Sequence, residues 1–386
     1  MASTLLLPLG TTAVLALLAR LSMPRSSVND IRGRCPGLNA AANHGYIPRN
    51  GILNMEQTNG LFTMFGMGID VFQFLAAYSI AFDGDFTTLT WSIGGPLPAN
   101  AVNSLLGVPQ GDGWSHNNYE GDTSITRCDA YTNGGDAHSS SPTRFLYAYQ
   151  SGMDNDRYTM DKFARLYAKN THRSIQQNAR YFAPLFSTTI VSPAAHNFVI
   201  AFMSNHSQAE PGGYLTGDHF KTWFAYTGNY PNFKWVPGTE RMPKNWYKRP
   251  LLEPYNAAAV IADDVVEFAA YPDTFRFGGN TGGVNTYTGI DINNITGGVY
   301  NSKNLFTGNN FACFVFSNQQ QAIPQALKGL VNNVAAATQL IFNNFPASIG
   351  SSLKCPQLAQ YDNSIFDPYE GAGDSWMAPK TGPKNC

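Results

Sequence analysis

The sequence predicts a mainly α-helical protein of one domain, and three observations carry this prediction. Apolar residues recur at helical spacing in several segments, and capping residues precede some of them. Neither an internal repeat nor a proline-rich linker divides the chain. With 386 residues and 43% hydrophobic content, the chain is long enough to bury one large core.

The helical signal is spread along the chain. Residues 54–57 have the pattern of a capping box. Residues 69–82 are apolar nearly all round, as is typical of a buried helix. Ser192 before Pro193 is typical of an N-cap followed by proline in the first turn. The predicted helices beyond residue 50 cover residues 54–65, 69–82, 159–181, 192–205, 217–224 and 324–345.

Turn-rich connections separate these helices. Residues 129–142 and 207–217 are predicted to be loops. Residues 277–310 are rich in Gly, Asn and Thr and contain β-prone pieces such as residues 284–288. We expect this region to be a surface excursion of the same domain, with a few short strands.

The charge pattern argues against nucleic acid as a partner. The formal net charge is −1, and no run of Lys and Arg could neutralise a series of phosphates. Charged residues make up only 13% of the chain, whereas Gly, Asn, Thr, Ser and Tyr are abundant. This balance is typical of extracellular proteins, and the sequons at Asn205 and Asn294 predict N-glycans on such a protein.

The N-terminus has the features of a secretion signal. Residues 5–19 are apolar or small, and Arg20 and Arg25 follow them. This run is too short to cross a bilayer core of about 30 Å, but it fits the apolar part of a signal peptide. We therefore expect residues 1–22 to be a signal peptide and residues 23–386 to form the domain of a secreted protein. An uncleaved N-terminal membrane anchor is the alternative, because no Lys or Arg precedes the run.

Five cysteines are present, and their spacing excludes common cysteine motifs. No two of them form a C-x-x-C pair, which disfavours zinc ribbons and thioredoxin-like redox sites. An odd number leaves at least one thiol unpaired in a secreted chain. A metal ligand is one explanation for the unpaired cysteine.

Cys35 stands at the predicted start of a short helix. Pro36 suits the first helical position, residues 40–42 are alanines, and Gly45 can end the helix in a left-handed conformation. An N-cap sulfur faces free backbone N–H groups and the positive end of the helix dipole, which lower the pKa of a thiol. The same pattern also fits an ordinary buried or disulfide-bonded cysteine, and the local residues alone do not separate the two interpretations.

A second segment supplies oxygen ligands. Within five residues lie the Glu120 carboxylate, the Gly121 carbonyl and the Ser124 hydroxyl, which are hard ligands of the kind that Mg²⁺ prefers. A helix cap with acidic neighbours in its first turn explains this string equally well.

Taken together, the two segments resemble one family. Residues 35–39 read Cys-Pro-Gly-Leu-Asn, residues 44–51 read His-Gly-Tyr-Ile-Pro-Arg-Asn-Gly, and residues 120–127 read Glu-Gly-Asp-x-Ser-x-x-Arg. This combination resembles the fungal haem-thiolate peroxidases, which include chloroperoxidase and the unspecific peroxygenases, and is most similar to the long members. The likeness is dense over residues 31–51 and 119–134 and looser from about 61 to 355. The cysteine signature of cytochromes P450 is absent.

The resemblance implies a fold, two cofactors and their ligands. The fold would be a chloroperoxidase-like, mainly helical single domain with a few short strands. Cys35 would be the axial thiolate of haem b, since a thiolate ligand favours cleavage of the peroxide O–O bond. Glu120, Gly121 and Ser124 would hold a Mg²⁺ ion that also touches a haem propionate.

The resemblance also makes expectations for other positions. Cys313 and Cys355 fall where long members form a disulfide, which leaves Cys128 and Cys386 unassigned. Arg34 stands where the family usually has proline. Among positions near those that line the haem channel, Ile69 and Tyr119 replace the common Phe.

The implied activity is that of a peroxidase or peroxygenase, which uses hydrogen peroxide to oxidise or oxygenate a small aromatic or apolar organic molecule. One alternative is a haem-thiolate tailoring enzyme of fungal secondary metabolism that lacks the usual Arg and Glu for peroxide activation. A second alternative is a secreted haem-binding protein without catalysis.

Peroxide activation needs a group that takes up and returns a proton. Short members use a Glu paired with the His of Glu-His-Asp, and Gly121 stands at that His position here. Long members use an Arg and a Glu two helical turns apart, and alignment puts Asn197 and Ser204 at those positions.

Other residues of the same region are therefore candidates for the proton-transfer group. His196, His206 and Glu210 lie nearby, and we predict His206 and Glu210 as the catalytic residues. For each of the three, a surface or capping role is the competing interpretation.

Overall fold

A computed structural model describes residues 26–85, 87–100, 103, 109–291, 297–301, 303–305, 307, 310, 363–374, 381–382, 384 and 386. Several predictions fall outside these residues: the signal peptide at 1–22, the helix at 324–345, the sequon at Asn294 and the disulfide between Cys313 and Cys355. Within the described part of the chain, no helix is both long and apolar enough to cross a membrane.

Helices dominate the described residues, as predicted. They are α1 (Pro36–Asn43), α2 (Asn59–Phe65), α3 (Ile69–Phe82), α4 (Pro142–Gln150), α5 (Met160–Gln177), α6 (Ser192–Met203), α7 (Gly217–Trp223) and α8 (Ala257–Ala270). Short 3₁₀ turns and one π turn (Ser187–Val191) connect some of them.

The strands are short and form three small antiparallel sheets. They are β1 (Ile52–Asn54), β2 (Thr90–Ser92), β3 (Phe182–Ala183), β4 (Tyr226–Asn229), β5 (Asn232–Trp235), β6 (Gly278–Asn280) and β7 (Tyr287–Gly289). The sheets pair β1 with β2, order β3-β6-β7, and pair β4 with β5. Leu53 lies opposite Trp91 in the first sheet, and both side chains are buried. The mainly helical fold with a few short strands is therefore confirmed.

The predicted helix starts are confirmed in one place and wrong in another. The backbone N–H of Gln57 donates to Asn54 Oδ1 and that of Asn54 donates to Gln57 Oε1, each at 3.0 Å, so the capping box is present. Ser192, in contrast, is not an N-cap, because it is already the first residue of α6. The π turn that precedes it continues into the helix, and Val191 provides no side-chain cap.

Two helices are absent from the sequence prediction. The α4 helix begins after Ser141, whose hydroxyl accepts from the backbone N–H of Arg144 at 3.3 Å. The α8 helix begins after Asn256, whose side chain accepts from Ala259 at 3.0 Å. Both starts have a polar N-cap of the usual kind. These caps are the signals in the sequence that mark both helix starts.

In the core, α1 and α6 each pack against more than one other helix. The α1 helix packs against α2 and α7, and Ala40, Ala41 and Ala42 are fully buried, which lets the neighbouring helices approach closely. The α6 helix packs against α5, α7 and α8. Burial of this apolar surface is the main force that fixes the two helices relative to each other.

A disulfide joins Cys128 to Cys386, the last residue of the chain. The two cysteines are 258 positions apart in the sequence, and their Cα atoms lie 6.1 Å apart. The family resemblance predicts no disulfide partner for either cysteine. This bond fixes the C-terminal end beside the segment that follows residues 120–127.

Candidate active site

An apolar cavity lies at the N-terminal end of α1. Its walls come from α1, α2, α3 and α6 and from residues 112–126. Most of the lining side chains are aliphatic or aromatic, among them Leu61, Phe65, Phe72, Ile93, Val199 and Phe202. A concave, mainly apolar space with few polar groups is the usual form of a small-molecule or cofactor site.

Cys35 is the N-cap residue of α1 and opens into this cavity. Its backbone is extended, with φ −80° and ψ 109°, while Pro36 begins the helix. The backbone N–H groups of Gly37 and Leu38 are near enough to favour the charged form of the sulfur, although neither makes a capping hydrogen bond to it. Among the described cysteines, Cys35 is free. Its accessible surface faces the cavity, within the surrounding protein.

The pKa of the Cys35 thiol is raised, contrary to the expectation from its N-cap position. Burial is the largest cause, because it disfavours the charged thiolate. The N–H groups of Leu38 and Gly37 and the positive charge of Arg127 act in the opposite direction but are weaker. In the protein alone the sulfur is therefore a thiol, and binding a metal ion there would release its proton.

The end of α1 is fixed by a Schellman motif. Gly45 has φ 70°, its N–H donates to Ala42 O at 3.1 Å, and the N–H of Tyr46 donates to Ala41 O at 3.0 Å. This helix of eight residues is thus fixed at both ends. Cys35 consequently has a defined direction relative to the cavity.

Gly37 leaves space beside the sulfur. A Cβ atom built at Gly37 would lie 3.9 Å from Cys35 Sγ, 3.6 Å from Phe65 Cζ and 3.5 Å from Met203 Cε. A larger side chain would therefore fill the part of the cavity that a group bound to the sulfur needs.

The Glu120 carboxylate is buried and has two partners. Arg34 Nη1 contacts Glu120 Oε1, and His116 Nδ1 lies 2.5 Å from Glu120 Oε2. Arg34 Nη2 also donates to the backbone oxygen of Gly121 at 3.1 Å. Burial and the Arg34 charge lower the pKa of His116 to about 4, so its neutral ring donates a hydrogen bond to Glu120 near pH 7. Arg34, which directly precedes Cys35, thus connects the start of α1 to residues 120–121.

One face of α6 forms a wall of the cavity. Ser192, Ala195, Val199 and Phe202 line it at helical spacing, and His196 lies on the same face. His196 is the titratable residue of that face and is almost completely buried.

The hydrogen bonds of His196 define its tautomer. His196 Nδ1 lies 2.7 Å from Ser192 O, and since a carbonyl oxygen can only accept, Nδ1 carries the hydrogen. Nε2 then carries the lone pair, with Asn170 Nδ2 at 3.5 Å. Burial lowers the pKa of His196 to about 4, so the imidazole is neutral near pH 7 and can accept a proton at Nε2.

The comparisons with known proteins agree with this geometry. The sequence model of the family described as "Peroxidase, family 2" matches residues 23–251, which is more than half of the chain. The chain belongs to this peroxidase family. It is therefore a peroxidase or peroxygenase, an oxidoreductase that uses peroxide.

Curated relatives are similar to this peroxidase, two of them over most of its length. The dothistromin biosynthesis peroxidase dotB of Dothistroma septosporum is 37% identical over 351 residues, which cover 90% of this chain and 83% of the relative. The aromatic peroxidase fscJ of Fusarium equiseti is 36% identical over 343 residues, which cover 87% and 78%. An aromatic peroxygenase of Coprinellus radians is 32% identical over 192 residues, which cover 48% and 71%.

Two residues predicted to be catalytic lie away from the cavity of this peroxidase. Glu210 forms an ion pair with Arg157 at 3.2 Å, and both side chains are largely exposed. His206 Nδ1 lies 3.0 Å from Pro211 O in the same surface loop. Neither residue lines the cavity, so this placement argues against both predicted catalytic roles.

The two positions aligned with the Arg and Glu of long members also point away. Asn197 Nδ2 donates to Asp264 Oδ1 at 3.2 Å and to Glu267 Oε2 at 3.3 Å, both on α8. Neither Asn197 nor Ser204 lines the cavity, and the backbone oxygen of Ser204, just after α6, accepts from Trp246 Nε1 at 2.9 Å. The face of α6 that lines the cavity therefore differs from the face that the alignment with long members predicts.

The oxygen set expected to bind Mg²⁺ is only partly gathered. Ser124 and Gly121 line the cavity, but Arg34 contacts both Gly121 O and the carboxylate of Glu120. His116 occupies the other oxygen of Glu120. A divalent ion bound to these oxygens would have to displace the Arg34 guanidinium.

Two further expectations can be compared with the structure. Tyr119 lines the cavity, whereas Ile69 is exposed and does not. Asn205 is buried, its Nδ2 donates to Tyr214 Oη at 3.1 Å, and its Oδ1 accepts from the N–H of Tyr247 at 2.7 Å. A glycan on this amide would have to replace these contacts, and glycosylation at Asn205 stays a prediction.

Proposed function

We propose that this peroxidase binds haem b through the thiolate of Cys35 and uses hydrogen peroxide to oxidise or oxygenate an aromatic or apolar molecule. The observation that carries the proposal is a free cysteine at a helix start, with its sulfur open to an apolar cavity. The alternative of a haem-binding protein without catalysis is not favoured, because the matched family and relatives are peroxidases.

The residues around the cavity fit a haem. Its flat apolar ring suits the aliphatic and aromatic walls, and Gly37 leaves room beside the sulfur. Two buried polar atoms of lining residues, Ser187 Oγ and Asp112 Oδ1, have no hydrogen-bond partner among the described residues. Such atoms are suited to polar groups at the edge of a bound ligand.

When bound, the haem iron supplies the redox chemistry, and the thiolate of Cys35 favours cleavage of the O–O bond. The nearby N–H groups of Gly37 and Leu38, which already favour the charged sulfur, would then be available to donate to it. Hydrogen bonds of this kind to the ligand atom tune the potential of the metal. The backbone of α1 therefore prepares the sulfur for its role.

We assign proton transfer to His196. It replaces the predicted His206 and Glu210 because it lies on the cavity wall, is neutral near pH 7 and has its lone pair at Nε2. When peroxide takes the place of the Asn170 Nδ2 donor, which lies 3.5 Å from Nε2, that atom can take a proton from one peroxide oxygen and return it to the other. The hydrogen bond from Nδ1 to Ser192 O keeps the ring in this orientation.

The aromatic or apolar nature of the substrate follows from the lining. Phe65, Phe72, Phe198 and Phe202 face the cavity, and rings of this kind favour stacked or edge-to-face contacts with an aromatic substrate. Two relatives bear the word aromatic in their names, which supports the same substrate class.

Secretion is a further part of the proposal. The apolar N-terminal run suits a signal peptide at residues 1–22. A disulfide between Cys128 and Cys386 is typical of an oxidising compartment. Sequencing the N-terminus of protein collected from the culture medium would check the cleavage, and retention of the whole protein in membranes would contradict it.

The spectrum of the reduced, CO-bound protein tests the cofactor and its ligand. We expect the strongly red-shifted Soret band of thiolate ligation in the native protein and its loss in Cys35→Ala. His206→Gln is the matched control and should keep both the band and peroxide turnover of an aromatic substrate. A native protein without this band, or a Cys35→Ala variant that retains it, would refute the proposal.

A further inference from the structure

Arg34 is the departure from the family pattern that the proposed function does not use. Its side chain lines the cavity next to Cys35 and is only 17% exposed. Its guanidinium contacts the Glu120 carboxylate and donates to the Gly121 carbonyl at 3.1 Å. These are two of the three oxygen groups that the family resemblance assigns to Mg²⁺.

We propose that the Arg34 guanidinium is a built-in cation that takes the place of a divalent metal ion at Glu120 and Gly121, so that this peroxidase needs no Mg²⁺ there. The inference rests on the proposed function only in placing the site beside the haem cavity. The contacts themselves involve residues of this chain alone.

The charges at the site are already balanced. The Glu120 carboxylate and the Arg34 guanidinium carry opposite charges and are in contact, and His116 Nδ1 lies 2.5 Å from the second carboxylate oxygen. The charge of a buried carboxylate is compensated when it contacts an oppositely charged partner. A Mg²⁺ ion would therefore have to displace Arg34 or bind beside its positive charge.

A second buried arginine opposes a divalent ion further. Arg127 Nη2 donates to the backbone oxygen of Arg34 at 3.0 Å, and Arg127 is itself buried. A divalent ion at Glu120 and Gly121 would therefore meet two buried guanidinium groups, those of Arg34 and Arg127.

Arg34 also performs the structural task of a bridging ion. It directly precedes Cys35, so its contacts tie the start of α1 to residues 120–121 across 87 positions of sequence. The planar guanidinium suits this task because it offers several N–H donors in a fixed geometry. Proline, the usual residue of the family at this position, has no side-chain donor and leaves the oxygens available to a metal.

Metal analysis of the holoprotein tests the inference. Native protein is dialysed against MgCl₂, desalted and measured for Mg²⁺ per haem, and its thermal unfolding is compared in MgCl₂ and in EDTA. We expect no stoichiometric Mg²⁺ and no shift of Tm. One Mg²⁺ per chain in the native protein, or a Tm that falls in EDTA, would overturn the inference.

The Arg34→Gln variant should gain a Mg²⁺ site that the native protein lacks. Removing the guanidinium frees Glu120 and Gly121, so we expect Mg²⁺ to bind at least about tenfold more tightly than to the native protein. We also expect Tm of the variant to rise in MgCl₂. If the folded variant binds Mg²⁺ no better than the native protein does, Arg34 does not exclude the metal and the inference is wrong.

Two controls make these outcomes specific. Arg34→Lys keeps the positive charge and should remain free of metal, and Arg157→Gln removes an exposed ion pair with Glu210 and should behave as the native protein does. If Arg34→Gln does not fold, the metal content of the native protein still decides the question. Because Mg²⁺ is measured independently of the CO spectrum, loss of the proposed haem site and failure of this inference give different results.

Discussion

The two sides of the cavity differ in how locally they are built. The side that carries Cys35 is formed by one short segment, in which Pro36 starts α1 and Gly45 ends it. The side formed by α6 depends on how that helix is rotated between α5 and α8. The geometry of a local segment is specified by its own residues, whereas the rotation of a helix is specified by packing partners that are distant in the sequence.

Removal of the His196 imidazole should have the largest effect. In His196→Ala, we expect turnover with peroxide to fall by about 10²- to 10⁴-fold, the usual contribution of a general acid–base group. The CO-bound spectrum should not change, because Cys35 is untouched. The measurement is kcat/KM for peroxide in the native protein and in the variant.

The pH profile sharpens the same assignment. His196 must be neutral to accept a proton, and its pKa is about 4, so native activity should fall as the pH drops through this value and stay level above it. His196→Ala should lack this acid limb. An unchanged limb in the variant, or a variant as active as the native protein, would show that another group accepts the proton.

The next largest effect is expected on haem affinity, at the side of the cavity that carries Cys35. Gly37→Val would place a branched side chain beside the sulfur, where even a single Cβ atom lies 3.9 Å from Sγ and 3.6 Å from Phe65. Overpacking of this kind costs about 1–3 kcal/mol, so we expect haem to bind about 5- to 150-fold more weakly. Titration with haem measures the affinity. Affinity equal to that of the native protein would mean that the bound group does not occupy this space.

The sequence could predict the Cys35 side because its signals are contiguous. A cysteine before proline, a run of alanines and a glycine at the end specify the helix and the position of the sulfur. The direction of the Cys35 pKa shift was still wrong, because burial of the sulfur outweighs the effect of the helix terminus. The mainly helical fold was predictable for the same reason as α1, since helical periodicity is local.

The α6 side could not be predicted in the same way. Alignment by the Ala201–Phe202 pair suggested that Asn197 and Ser204 face the iron, but Asn197 faces α8. The partners that cause this rotation, Asp264 and Glu267, lie about 70 positions further along the chain, on a helix that the sequence prediction missed. The sequence offers both His196 and His206 as candidates for proton transfer, and only the packing of α6 distinguishes them.

A smaller effect should appear in the pH dependence of stability. Burial raises the pKa of Glu267 to about 8, above its unfolded value of 4.5. Between these values the folded protein keeps a proton that the unfolded chain releases, so stability should decline as the pH rises from about 4.5 to 8. Glu267→Gln should reduce this decline by roughly 1–3 kcal/mol, measured by urea unfolding at pH 5 and pH 8. An equal decline in both proteins would contradict the raised pKa.

The smallest effect separates the two faces of α6 directly. Asn197→Ala removes the amide that donates to Asp264 and Glu267, and loss of a buried donor should lower the free energy of unfolding by about 1–2 kcal/mol. Because Asn197 does not line the cavity, kcat/KM for peroxide should stay within about twofold of the native value. His196→Ala, one position earlier, should show the reverse pattern of low activity and a CO spectrum like that of the native protein. A large loss of activity in Asn197→Ala would instead place Asn197 at the iron, as the alignment with long members suggested.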